Sequence, residues 1–96
     1  MSAPEPAKAE ATVAICNARG LHARASAKFV KLASTFEAEI RVTREGMTVD
    51  ARSIMGLLML GAGIGATIEI AATGPDAVTA VAALGELVCA RFEEDQ

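Results

Sequence analysis

The sequence predicts an α+β domain: an open-faced β-sandwich of order βαββαβα, with a four-stranded, mostly antiparallel sheet covered by three helices on one face. Three observations lead there. Short segments in which apolar and polar residues alternate recur along the chain, which is the period of a strand with one buried face. Between them lie segments whose apolar residues repeat every three or four positions, the spacing of an amphipathic helix. The 96 residues suffice for one hydrophobic core and no more, and neither an internal repeat nor a linker interrupts them.

The elements follow in order. Residues 1–10 carry two prolines and mixed charge and read as a disordered tail ahead of a domain spanning residues 11–96. From Thr12 to Asn17, Val13 and Ile15 alternate with Ala14 and Cys16 as a first strand, which Gly20 ends. A first helix runs from Ala23 to about Phe36, with Phe29, Val30, Ala33 and Phe36 on one face. Ile40 and Val42, alternating with Glu39, Arg41 and Thr43, form a second strand. Arg44-Glu45-Gly46 turns it into a third, Met47–Asp50, as a hairpin. Ser53 stands as an N-cap before the apolar run Ile54–Leu60, and the glycines after that run favour a short helix over a strand. Ile68 and Ile70 alternate with Thr67 and Glu69 in a fourth strand. Thr73-Gly74-Pro75-Asp76 then opens a last helix, with Asp76 well placed for the dipole and Val78, Val81, Leu84, Val88 and Phe92 on its buried face.

Composition excludes several functions. The hydrophobic fraction is 52%, enough for a core without metal or disulfide staples, although much of it is alanine. Net charge is −3, and Trp and Tyr are absent, so neither the basic footprint nor the stacking platforms of a nucleic-acid binder are present. No stretch approaches the roughly 20 apolar residues of a membrane span. The N-terminal residues lack the apolar region of a secretory signal. A cytoplasmic, monomeric protein without metal or cofactor is expected, with Cys16 and Cys89 as free, buried thiols.

The one histidine, His22, lies where a strand gives way to a helix, in Gly20-Leu21-His22-Ala23-Arg24. A helix start presents unpaired backbone amides and the positive end of the macrodipole. A phosphate on the imidazole would therefore meet the amides of Ala23 and Arg24, while the Arg24 guanidinium offers a planar fork for its oxygens. Phosphoryl transfer needs positioning and charge stabilisation more than acid–base machinery, and this site offers both. On position alone, the simpler assignment is His22 as a turn or N-cap residue and Arg24 as a solvated charge.

The segment from Asn17 to Val30, Asn-Ala-Arg-Gly-Leu-His-Ala-Arg-Ala-Ser-Ala-Lys-Phe-Val, resembles the active-site signature of HPr, the histidine phosphocarrier family of the phosphoenolpyruvate-dependent phosphotransferase system. Downstream, Ser53–Gly61 resembles the family's regulatory-serine segment, at the family's spacing. The resemblance covers about residues 10–92. It implies that His22 carries a phosphoryl group on Nδ1 and that Arg24 clamps it. The implied donor is the family's first enzyme, charged from phosphoenolpyruvate, and the implied acceptor is an EIIA-type protein. It also implies phosphorylation of Ser53 by HPr kinase/phosphorylase, although a good cap would be kept without it. Ile54, Met55 and Leu58 take positions that form the family's docking surface, and a phosphate on Ser53 at its edge would weaken docking. Periodicity agrees, because so long an apolar run exceeds what one helical face buries.

One departure is Ala25, where the family has proline; alanine should loosen the first helical turn without removing a phosphate ligand. Gly61-Ala62-Gly63-Ile64-Gly65 leads out of a helix into a strand, the reverse of a nucleotide-binding loop, and reads as a connector. Some segments resemble nitrogen-related carriers and others the kinase-regulated ones. The alternative function is a ligand- or protein-binding regulatory module on the same frame without phosphotransfer.

Overall fold

The computed structural model describes residues 7–95. Its elements are β1 (Lys8–Ala14), α1 (Ala23–Ala33), β2 (Glu39–Arg44), β3 (Met47–Asp50), α2 (Ile54–Met59), β4 (Thr67–Thr73) and α3 (Ala77–Cys89), followed by a short turn at Arg91–Glu93. The four strands lie in the order β1-β4-β2-β3, every neighbouring pair antiparallel, so the expected open-faced sandwich is the observed one. Ile40, Val42, Ile68, Ile70 and Ala72 point inward and are buried, while Glu39, Arg41, Thr67 and Glu69 between them face water. Phe29 of α1, Leu57 of α2, and Leu84 and Val88 of α3 complete the core.

β1 starts earlier than alternation suggests. The tail expected over residues 1–10 includes Lys8–Glu10, which pair with Thr73–Ala71 of β4; residues 1–6 lie outside the described residues. Backbone pairing with the central strand recruits this polar stretch, which an apolar pattern cannot reveal. Beyond Ala14 the chain leaves the sheet, although Ile15 still exchanges backbone bonds with Ala66 and Gly65 at 2.8 Å each. β4 likewise continues past Ile70 to Thr73, because it is paired on both edges.

α1 ends at Ala33 rather than near Phe36. Thr35 Oγ1 donates to Leu32 O at 2.7 Å, satisfying a carbonyl that a longer helix would have bonded to Phe36 N, which donates to Ala33 O at 3.3 Å instead. The hairpin turns on Glu45 and Gly46, with φ of 47° and 83°, the two left-handed residues of a type I′ turn.

Ser53 is the N-cap of α2, its Oγ accepting from Gly56 N at 2.9 Å. Ser53→Ala should therefore cost about 1 kcal/mol of stability, read from urea denaturation.

α3 differs from expectation in two places, Val78 and Phe92. Its buried face is Ala77, Ala80, Val81, Leu84, Gly85 and Val88, which turns Val78 outward to 64% exposure. Asp76 stands at the N-cap, where its charge suits the dipole, and its carboxylate accepts from Glu37 N at 2.7 Å without capping the helix. Phe92 is fully buried but lies beyond the helix, in the following turn. The cysteines are free, as expected, yet Cys89 is exposed and Cys16 only half-buried, with its Sγ 3.5 Å from Val88 O. Cys89 sits at the last position of α3, just past the buried Val88, and turns to solvent.

Candidate functional site

The loop from β1 to α1 is built to hold His22 in one place. Gly20 has φ of 63°, and a Cβ there would come within 2.3 Å of Ala62 O, so only glycine allows this close approach. Leu21 N donates to the same Ala62 O at 2.9 Å. The fully buried Asn17 donates from Nδ2 to Gly20 O at 2.9 Å, and the buried Ser26 donates from Oγ to Leu21 O at 3.2 Å. His22 follows in extended conformation as the N-cap of α1, its carbonyl accepting from Ser26 N at 2.8 Å.

The His22 side chain does not cap the helix. Its Nε2 instead meets Glu94 Oε2 at 2.5 Å, both side chains largely shielded from water. The other Glu94 oxygen, Oε1, accepts from Asn17 Nδ2 at 2.9 Å, so one asparagine ties the histidine loop to the carboxylate. Glu94 is held below the ordinary carboxylate range, first by the Asn17 amide and then by the His22 ring, with Arg19 contributing charge and partial desolvation opposing them.

Glu94 reaches the site on an unusual strap. Arg91, Phe92 and Glu93 all have left-handed backbones, φ of 58°, 54° and 63°, a conformation that costs roughly 1–2 kcal/mol per residue outside glycine. Burial of the Phe92 ring offsets that cost, and Lys28 Nζ donates to Phe92 O at 2.7 Å from α1. Glu93 N and Glu94 N close the turn onto Ala90 O and Arg91 O at 3.0 Å each. Sequence reading missed Glu94, which lies far from His22 in the chain. The available signal was a phenylalanine on the helical spacing followed by three acidic residues, Glu93, Glu94 and Asp95.

Beside the ring opens a cleft of about 370 Å³. Arg19, Arg24 and Lys28 line one part of it, and Glu93, Glu94 and Asp95 another. Arg24 is exposed and forms no ion pair among the described residues, so its guanidinium is free to follow an anion. Ala23, Arg24 and Ala25 occupy the first turn of α1, whose amides have no intrahelical acceptor. Ala25 is buried and presents an N–H that proline would lack.

The other sequence-selected residues lie on α2, whose C-terminal end reaches the histidine loop through Ala62. Ile54, Met55 and Leu58 are exposed, Met55 to 68%, while Leu57 and Leu60 turn into the core. Met59 and Ile64 are as exposed as Met55 and enlarge the apolar surface beyond the residues selected from sequence. Ser53 lies at the far end of the same helix, half-buried. Among the described residues no group of His, Cys, Asp and Glu is arranged to hold a metal ion, and no helix is long and apolar enough to cross a membrane.

A family model described as PTS HPr component phosphorylation site matches residues 9–90, ending short of Glu94. Among curated relatives, Phosphocarrier protein HPr of Cupriavidus necator is 49% identical over 82 residues, covering 85% of this chain and 92% of that protein. Phosphocarrier protein NPr of Shewanella violacea is 47% identical over 87 residues, covering 91% and 96%. Among solved structures, HPr-C-His from Thermoanaerobacter tengcongensis superposes with a TM-score of 0.88 at 40% identity, over 92% of this chain and 99% of that one. HPr from Bacillus anthracis gives 0.82 at 40% identity, over 85% and 98%.

Proposed function

The chain belongs to the HPr family and is a histidine phosphocarrier of the phosphotransferase system, and on that premise we propose that His22 bears the phosphoryl group, on Nδ1, under the Arg24 guanidinium. The observation that carries the assignment is the ring itself: Nε2 is engaged by Glu94, which leaves Nδ1 as the nitrogen available to attack. Its lone pair forms the N–P bond as the bond from phosphorus to the donor breaks. The amides of Ala23 and Arg24 and the unpaired guanidinium supply the charge stabilisation. Forward and return transfer use the same groups, as a carrier requires.

The donor is the system's first enzyme, charged from phosphoenolpyruvate, and the acceptor an EIIA-type protein. Both dock on Ile54, Met55 and Leu58, where an apolar surface ends against the histidine loop. HPr kinase/phosphorylase modifies Ser53, placing charge at the edge of that surface, and the carrier works as a cytoplasmic monomer. Relatives named HPr and NPr match almost equally well, and both branches share this chemistry. A regulatory module without phosphotransfer is set aside by the family membership.

The test is intact-mass measurement after incubation with phosphoenolpyruvate, magnesium and a first enzyme shown to charge another carrier. One acid-labile phosphate is expected; none, with the cognate donor, overturns the assignment. Arg24→Ala should slow transfer roughly tenfold to a hundredfold, the loss of charge-assisted hydrogen bonds worth about 1.5–3 kcal/mol. Unchanged quench-flow kinetics would remove Arg24 from the mechanism.

A further inference from the structure

We propose that Glu94 is a positioning residue that selects which ring nitrogen of His22 is phosphorylated. The inference rests on His22 as the acceptor and deepens that assignment. A carboxylate only accepts hydrogen bonds, so the contact between Glu94 Oε2 and Nε2 places the ring proton on Nε2 and the lone pair on Nδ1. Attack by Nδ1 then needs no proton transfer. The N–P bond forms from the lone pair, the donor departs with its bonding electrons, and the ring becomes a phosphoimidazolium whose positive charge faces the Glu94 carboxylate through Nε2–H. When the phosphoryl group leaves for the acceptor, the N–P electrons return to Nδ1 and the ring is neutral again with its proton still on Nε2.

The placement of Glu94 is constructed rather than incidental. Three consecutive left-handed residues, a buried Phe92 and the Lys28 bond aim the carboxylate, and Asn17 fixes its second oxygen while also bonding the loop at Gly20. The matched family region ends at residue 90, so the motif that identifies His22 and Arg24 does not include Glu94.

The charged groups around it favour the ionised form. Arg19 from the loop and Arg24 and Lys28 from α1 stand against Glu93 and Asp95 on its own strap, and the neutral ring adds the Nε2–H bond. Because the carboxyl is held below its ordinary range, the interaction is fully present above the unfolded-state value and is lost only as pH falls through the lower folded-state value. At neutral pH the carboxylate is ionised and remains an acceptor for Nε2–H.

The experiment uses the full chain with 15N-labelled histidine. Nitrogen NMR of the unphosphorylated protein should show a single tautomer, protonated on Nε2, and phosphorus NMR after charging should show Nδ1-phosphohistidine alone. Glu94→Ala should populate both tautomers, yield both phosphohistidine isomers and slow acceptance roughly tenfold. Glu94→Gln keeps an acceptor oxygen and should restore the Nε2–H tautomer without restoring the full rate. A single Nε2–H tautomer in Glu94→Ala, with phosphate still on Nδ1 of His22, overturns the role of Glu94 alone. Phosphate on a different residue overturns the carrier assignment and the role of Glu94 with it.

Discussion

His22→Ala should abolish phosphoryl acceptance and leave the domain folded. The first part follows because His22 is the chain's one histidine, and the cations and backbone amides around it have no nitrogen lone pair free to attack at neutral pH. The second follows because the loop does not depend on the ring. Gly20 and Leu21 are held by Ala62, Asn17 and Ser26, and the backbone bond from Ser26 N to His22 O is indifferent to the side chain. Intact mass after charging should show no added phosphate, and circular dichroism should match the wild type. Full acceptance by the variant would move the site elsewhere.

The largest effect on stability is expected from Phe92→Ala. The ring is fully buried, and its removal should cost about 3–5 kcal/mol, measured as the loss of unfolding free energy in urea. Against the roughly 5–15 kcal/mol typical of a whole domain, that is a large share. The same ring holds the strap in its left-handed turn, so the damage reaches the site. With the anchor gone, the His22 tautomers should mix as they do in Glu94→Ala. A destabilised variant that kept one tautomer would show that Glu94 finds His22 without the anchor.

Much of the fold was legible because the sheet is one-sided. Ile40 and Val42, or Ile68 and Ile70, alternate with polar residues only because one face meets helices and the other meets water. The proposed site at His22 and Arg24 was open to sequence reading for a different reason: ring, first-turn amides and cation are consecutive, and a helix start brings them together locally. What escaped was set by distant partners. Lys8–Glu10 become strand through the backbone of β4, which leaves no hydrophobic mark. Val78 satisfies the spacing of a buried face, but Ala77, Ala80 and Val81 take that face and carry Val78 to the outside. Phe92 fits the periodicity of α3 and reaches the core by another route, a left-handed turn that L-residues normally avoid. Glu94 depends on that turn, and no local pattern connects it to a histidine near the other end of the chain.

The sheet order also governs when the molecule becomes competent. As the chain is synthesised, β2 and β3 are neighbours in sequence and close as a hairpin early. β1 is made first but has only β4 as its neighbour, Ala14 opposite Thr67 and Lys8 opposite Thr73, so it waits while α1, both hairpin strands and α2 emerge. The loop bearing His22 hangs from the end of that waiting strand and rests on Ala62, and its carboxylate partner Glu94 is made 72 residues after it. The reactive centre is thus a late product of biosynthesis. On the proposed assignment, a nascent chain carries the histidine well before the groups that hold it are in place.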